Sequence, residues 1–186
     1  MISEKSFVRL DFASLGFKSG DYDNCVFDNC NFPEVNLTGI HFSNCIFRAC
    51  NLSLAKINQT AFRNASFKDC KMLGMHFEQC NDFLFEVGFE NCNLNLSSFF
   101  RKKVKKTIFR NCSLHETDFT ETDLNASVFD NCDLDRAVFD NTILENADFR
   151  TAYNYSIDPS SNRIKKAKFT LPAVVGLLNH LSIVIE

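Results

Sequence analysis

The chain has no tryptophan, only three prolines and six glycines, and no apolar run approaching 18 residues. The missing run argues against a transmembrane helix, which needs about 20 consecutive apolar residues. Glycine-rich phosphate loops are absent as well, so no nucleotide-binding fingerprint is present. The start, Met1-Ile2-Ser3-Glu4-Lys5-Ser6-Phe7, lacks the basic-then-apolar layout of a secretory leader, and a cytoplasmic chain is expected. Neither sign of charge dominates. With 23 acidic and 20 basic side chains, the balance of −3 points to no partner by itself.

Phenylalanine and cysteine are abundant instead, with 21 Phe and nine Cys in 186 residues. In a small secreted protein nine cysteines would suggest a disulfide framework, but that reading needs a secretory context. Cys-X-X-Cys spacing, which would favour a metal, is missing too. His41, His76, His115 and His180 stand apart from any nucleophile or carboxylate constellation in the sequence. No catalytic residue, cofactor or metal ligand is expected, and the chain reads as a non-enzyme.

An internal period explains the phenylalanines. From Phe7 every fifth residue is apolar or aromatic through Phe77; the phase slips by two residues and resumes from Leu84 through Phe149. All 29 such positions fit. Two residues before many of them sits a smaller side chain, as at Cys25, Cys30, Ala65, Ser97, Cys132 and Ala147. A period of five is neither helical nor that of a strand. It suits a chain that turns a corner every five residues, with one large and one small side chain pointing inward from each side.

Segments such as Cys132-Asp133-Leu134-Asp135-Arg136 and Ala147-Asp148-Phe149-Arg150-Thr151 resemble the pentapeptide-repeat family, over about residues 5–152. The resemblance implies an all-β fold, a right-handed quadrilateral β-helix with four pentapeptides per 20-residue coil. The sequence passes a check on that coil length. Phe7, Phe27, Phe47, Phe67, Phe89, Phe109, Phe129 and Phe149 recur at 20 residues, or at 22 across the slip. The slip is placed at 78–83, where Phe83 and Phe85 are expected to plug a bulge. Cys30, Cys50, Cys70, Cys92, Cys112 and Cys132 should form one ladder and Cys25 and Cys45 part of another, with Cys80 at the slip. Packed, reduced thiols acting as small hydrophobes are expected.

Two surface features are candidates for binding. Arg101, Lys102, Lys103, Lys105 and Lys106 form a basic cluster that suits a nucleic acid or an acidic partner, or solvates a coil corner; Lys102 falls in an inward slot, so the corner is distorted or the side chain snorkels out. Residues 111–148 hold Glu116, Asp118, Glu121, Asp123, Asp130, Asp133, Asp135, Asp140, Glu145 and Asp148 against Arg136 alone, a balance of −9. Such a stretch reads as turn chemistry and solubility, or as an acidic belt imitating the phosphates of DNA.

Residues 153–186 read as a cap: an α-helix over about 171–181, with Thr170 as N-cap, then Ile183-Val184-Ile185 as a short strand. Leu171, Val174, Val175, Leu178 and Leu181 would share one stripe. Ile157-Asp158-Pro159, Asn162-Arg163-Ile164 and Gly176-Leu177-Leu178 resemble the tail of the group containing the plasmid quinolone-resistance proteins and the microcin B17 immunity protein. That resemblance implies a homodimer through the cap and protection of a type II topoisomerase, DNA gyrase or topoisomerase IV, with no direct nucleic-acid or membrane contact. It also implies projecting loops, which the two-residue slip does not supply. A structural or scaffolding repeat protein with an unrelated partner is the alternative.

Overall fold

In a computed structural model, which describes residues 1–181 together with Ile183 and Val184, the chain winds as a parallel, right-handed β-solenoid. The side bearing Phe7 (the first face) is a seven-stranded parallel sheet of Ser6–Val8, Val26–Asp28, Ile46–Arg48, Ala65–Lys68, Val87–Glu90, Ile108–Arg110 and Val128–Asp130. The second and third faces are ladders of single bridges, Asp11–Asn31–Asn51–Lys71–Asn93–Ser113–Asp133–Tyr153 and His76–Ser98–Asp118–Val138. The fourth begins as a four-stranded sheet from Ile2–Ser3 to Ala61–Arg63 and continues as the bridges Lys103–Asp123–Ile143–Arg163. Bridges to Arg163 and Lys168 carry the winding beyond residue 152.

Phenylalanine suits the first face because identical rings in register stack with their planes aligned. Neighbouring centroids there lie 4.7–5.5 Å apart from Phe7 to Phe169, close to the rung spacing of parallel strands. Phe77, Phe99, Phe119 and Phe139 stack likewise on the third face. The core is therefore a set of continuous columns, each coil sealing the next.

Most corners are turned by a residue in the left-handed region, with φ near +50 to +60°. Asparagine tolerates that conformation better than most residues and fills it at Asn24, Asn29, Asn44, Asn64, Asn91, Asn111, Asn131, Asn141, Asn146 and Asn154. Its amide also bonds between coils. Asn131 Nδ2 donates to Asn111 Oδ1 at 2.9 Å, Asn111 to Asn91 at 3.0 Å, and Asn91 to Asp69 at 2.8 Å.

The small inward slot has a chemistry of its own. Cys50 Sγ donates to the carbonyl of Phe27, Thr117 Oγ1 to that of Leu94 and Ser127 Oγ to that of Val104, each reaching back 23 residues. All nine cysteines are buried and unbridged, Cys80 included. A thiol here is a donor as well as a small hydrophobe.

The cap is helical in the tighter 3-10 form, as two segments at Ala173–Leu177 and Asn179–Leu181, in place of one continuous α-helix. The segment starts from Pro172, and no Thr170 side-chain cap forms. Gly176 sets its seat. A Cβ there would collide with the Tyr155 carbonyl, and Ile157 N–H donates to the Gly176 carbonyl at 3.0 Å. Ile183 and Val184 are exposed and in no strand, while Ile185 lies outside the described residues.

Candidate binding surface

The coil register breaks over residues 81–86, slightly later than the slip placed at 78–83. Asn81 N–H still donates to the Thr60 carbonyl, as Ala61 donates to Ile40; Asp69 N–H then reaches Glu90, two residues further on than the bond from Asn44 to Arg63. The inward site assigned to Leu84 is filled by Phe85, which packs edge-on to Phe77. Leu84 is instead a left-handed corner, 64% exposed, and Phe83 beside it is 66% exposed under the Arg63 guanidinium. Sequence periodicity misplaces Leu84 because a two-residue insertion restores the phase whichever residue is taken as extra.

Lys102 holds this bulge together. Its side chain is 2% exposed, so it points inward and does not snorkel; the corner is distorted. Nζ donates to the Cys80 carbonyl, lies 2.7 Å from the Asp82 carboxylate and sits over the Phe85 ring at 4.7 Å. The space that Thr60 and Thr122 fill elsewhere in this column is enlarged by the insertion, and a long cation fills it with its partners in place.

The basic cluster is thus smaller than its sequence. Lys102 is withdrawn, Arg101 makes a two-point pair with Glu121 at 2.8 and 3.0 Å, and Lys105 pairs with Asp123 at 3.0 Å. Lys103 and Lys106 are exposed and have no carboxylate within 4.0 Å among the described residues. Lys105 and Lys106 line a shallow groove of about 370 Å³ with Leu84, Phe85, Glu86, Val87 and Thr107.

The ten acidic residues of 111–148 form no continuous stripe. Asp130 and Asp148 border the first face, Asp133 and Asp135 the second, Asp118 and Asp140 the third, and Asp123 and Glu145 the fourth, with Glu116 and Glu121 on corners. Among the described residues eight of the ten lie within 4.0 Å of a cation or histidine, leaving Asp118 and Asp140. Coiling is the reason. Arg101, Lys105 and Arg110 precede the stretch and Arg163 follows it, yet stacking brings them onto it, while Arg150 reaches Asp148 locally. The side-chain hydrogen bond from Arg150 holds the Asp148 carboxyl below its usual range, against the opposing effect of burial. Burial works to raise Asp133, but His115 and Asn154 outweigh it and leave it lowered.

The histidines, isolated in sequence, each gain a carboxylate neighbour: Asp21, Glu78, Asp133 and Asp158 lie 2.7–3.6 Å from His41, His76, His115 and His180. These pairs are scattered. Among the described residues no group of three or more His, Cys, Asp or Glu is placed to hold a metal, and no helix is long and apolar enough to cross a membrane. At the cap, Ala173 and Leu177 pack against the core, while Leu171, Val175 and Leu181 are exposed and Val174 and Leu178 half-buried.

With coil, corner and slot described, family profiles match nearly the same span: the pentapeptide repeat region over 20–99 and 40–116, and pentapeptide repeats over 117–153. The chain belongs to the pentapeptide-repeat family. No curated protein sequence matches it significantly. Among solved pentapeptide-repeat structures it is similar to a trypsin-treated form of QnrB1, a plasmid-mediated fluoroquinolone resistance protein, at 16% identity and a TM-score of 0.58 over 99% of each chain. It is also similar to HetL, involved in heterocyst differentiation regulation in the cyanobacterium Nostoc, at 15% identity and a TM-score of 0.51 over 89% of this chain and 84% of that one. At these identities the likeness concerns the fold.

Proposed function

We propose that this pentapeptide-repeat chain is a non-enzymatic protein-binding rod, docking a partner around the bulge at 81–86 and assembling as a dimer through its cap. One observation carries the reading: the repeat is interrupted where a buried lysine pins the chain and holds Phe83 and Leu84 in water, beside the free Lys103 and Lys106. A coil that served only as a spacer gains nothing from a buried charge, whose desolvation is costly. Aromatic and aliphatic knobs rimmed by cations are, in contrast, the anatomy of a protein interface.

The finer reading names a type II topoisomerase as the partner. It is supported by the tail resemblance and by a fold shared with a fluoroquinolone resistance protein. DNA mimicry is its weakest component, since within 111–148 Asp118 and Asp140 alone lack a cation or histidine partner among the described residues. Contact through the bulge and the cationic corner fits the charges better. The acidic coils remain the second candidate surface. Exposure of Leu171, Val175 and Leu181 supports the dimer, because an apolar strip at a rod's end is what an isologous interface covers.

A DNA gyrase supercoiling assay, with and without a fluoroquinolone, decides the finer reading. Inhibition or rescue at micromolar protein, lost on Phe83→Ser with Lys106→Glu, is expected. No effect of the wild-type chain removes the topoisomerase as partner, and an unchanged effect of the variant removes the bulge as its surface.

A further inference from the structure

Leucine occupies the left-handed corner at Leu54, Leu84 and Leu96 (φ +56, +56 and +59°). A leucine there is unfavourable twice. The conformation crowds its Cβ against the backbone, and 53%, 64% and 54% of the three residues' surface stays in water. Asparagine, used at many other corners, would remove both costs.

Two of these leucines share one corner column, between the second and third faces and diagonally across the rod from the bulge. Gly74 lies in the rung between them. The Leu54 side chain leans over it, with Cδ2 2.7 Å from where a glycine Cβ would stand. Leu73 is 38% exposed in the same rung. Leu54, Leu73 and Leu96 thus make an apolar strip spanning two rungs, about 10 Å. On its second-face side stands Lys71 and on its third-face side Lys56, both exposed and neither within 4.0 Å of a carboxylate among the described residues.

We propose that this strip docks an acidic amphipathic helix of a partner protein, an inference that rests on the chain being a protein-binding rod. Length and charge select that occupant. Residues i and i+7 of an α-helix are about 10.5 Å apart along its axis, matching the run from Leu54 to Leu96. Carboxylates flanking the helix's apolar stripe would meet Lys56 on one side and Lys71 on the other. Exposed Glu34 and Glu116 stand one rung beyond Leu54 and Leu96 in the same corner column and bound the strip. A second copy laid strip to strip would set lysine against lysine and is disfavoured.

The test uses a fluorescent helical peptide of about 18 residues, with Leu at i, i+3 and i+7 and Glu on both flanks, and a control with Lys flanks. Fluorescence anisotropy should show saturable, micromolar binding of the Glu-flanked peptide, weakened about tenfold or more by Lys flanks, by Lys56→Glu with Lys71→Glu, or by Leu54→Asn with Leu96→Asn. The asparagine pair should meanwhile raise Tm by roughly 2–4 °C, since it relieves strain. No saturable binding, equal binding of both peptides, or a Tm lowered together with binding overturns the proposal. So does light scattering in which the asparagine pair, and not a cap variant, abolishes a dimer. Phe83→Ser should leave peptide binding unchanged, so failure at the bulge and failure at the strip are read separately.

Discussion

A thiol or hydroxyl in the small inward slot reaches a carbonyl in the coil before it, so that slot selects a donor as well as a volume. Cys132 Sγ, for example, donates to the Phe109 carbonyl at 3.3 Å. Cys132→Thr should accordingly cost less stability than Cys132→Ala, which is expected to lose about 1 kcal/mol or more in urea unfolding. Burial pushes the Cys45 and Cys80 thiols up to about 12, and for Cys112 the neighbouring Cys132 thiol and then burial do the same. Unfolded thiols titrate near 9, so the contribution is complete below pH 9. Above it the unfolded chain loses protons that the fold keeps, and stability falls by about 1.4 kcal/mol per pH unit per such thiol. Denaturation between pH 8 and 11 should show that decline, made shallower by Cys45→Ser. Lys102 is the other decisive single residue. Lys102→Ala would empty its slot and orphan the Cys80 carbonyl, and about 2–4 kcal/mol of destabilisation is expected from urea or thermal unfolding.

The bulge and the cap show how elements adapt the repeat. Deleting Asn81 and Asp82 would bring Leu84 into the inward position and restore a five-residue spacing between Cys80 and Val87. Combined with Lys102→Thr, which copies Thr60 and Thr122, the deletion should give a regular coil with unchanged or higher Tm and no bulge-dependent binding. A lower Tm would mean that the bulge itself stabilises the rod. The period of five was legible wherever Phe, Leu or Cys filled its slots; the exact course of 81–86 was not, because several residues there can serve as the inward one. The cap's helical character was also legible from Pro172 and the apolar spacing. How it seats was not, because that rests on the fit of Gly176 against Tyr155, a contact between residues distant in the chain.

For the whole molecule, stacking decides which charges are free. Residues 111–148 look like a block of −9, but most of its carboxylates meet cations 18–20 residues away or within the next few positions. Salt should therefore change the stability of this surface little, since exposed pairs of this kind contribute about 0–1 kcal/mol each. The cap should set the oligomeric state: Leu181→Asp is expected to halve the mass seen by light scattering, and a monomeric wild type removes the dimer.

By itself the sequence determined the period, the inward columns and the corner chemistry, because each is a local rule repeated in phase and needs no knowledge of the neighbouring coil. Only the tertiary structure decided which acidic residues are neutralised, that Lys102 is buried, that Leu84 faces water, and that Leu54, Leu73 and Leu96 adjoin. Those facts depend on what stands one rung above and below. A coil of twenty residues places such neighbours far apart in the chain and about 5 Å apart in space.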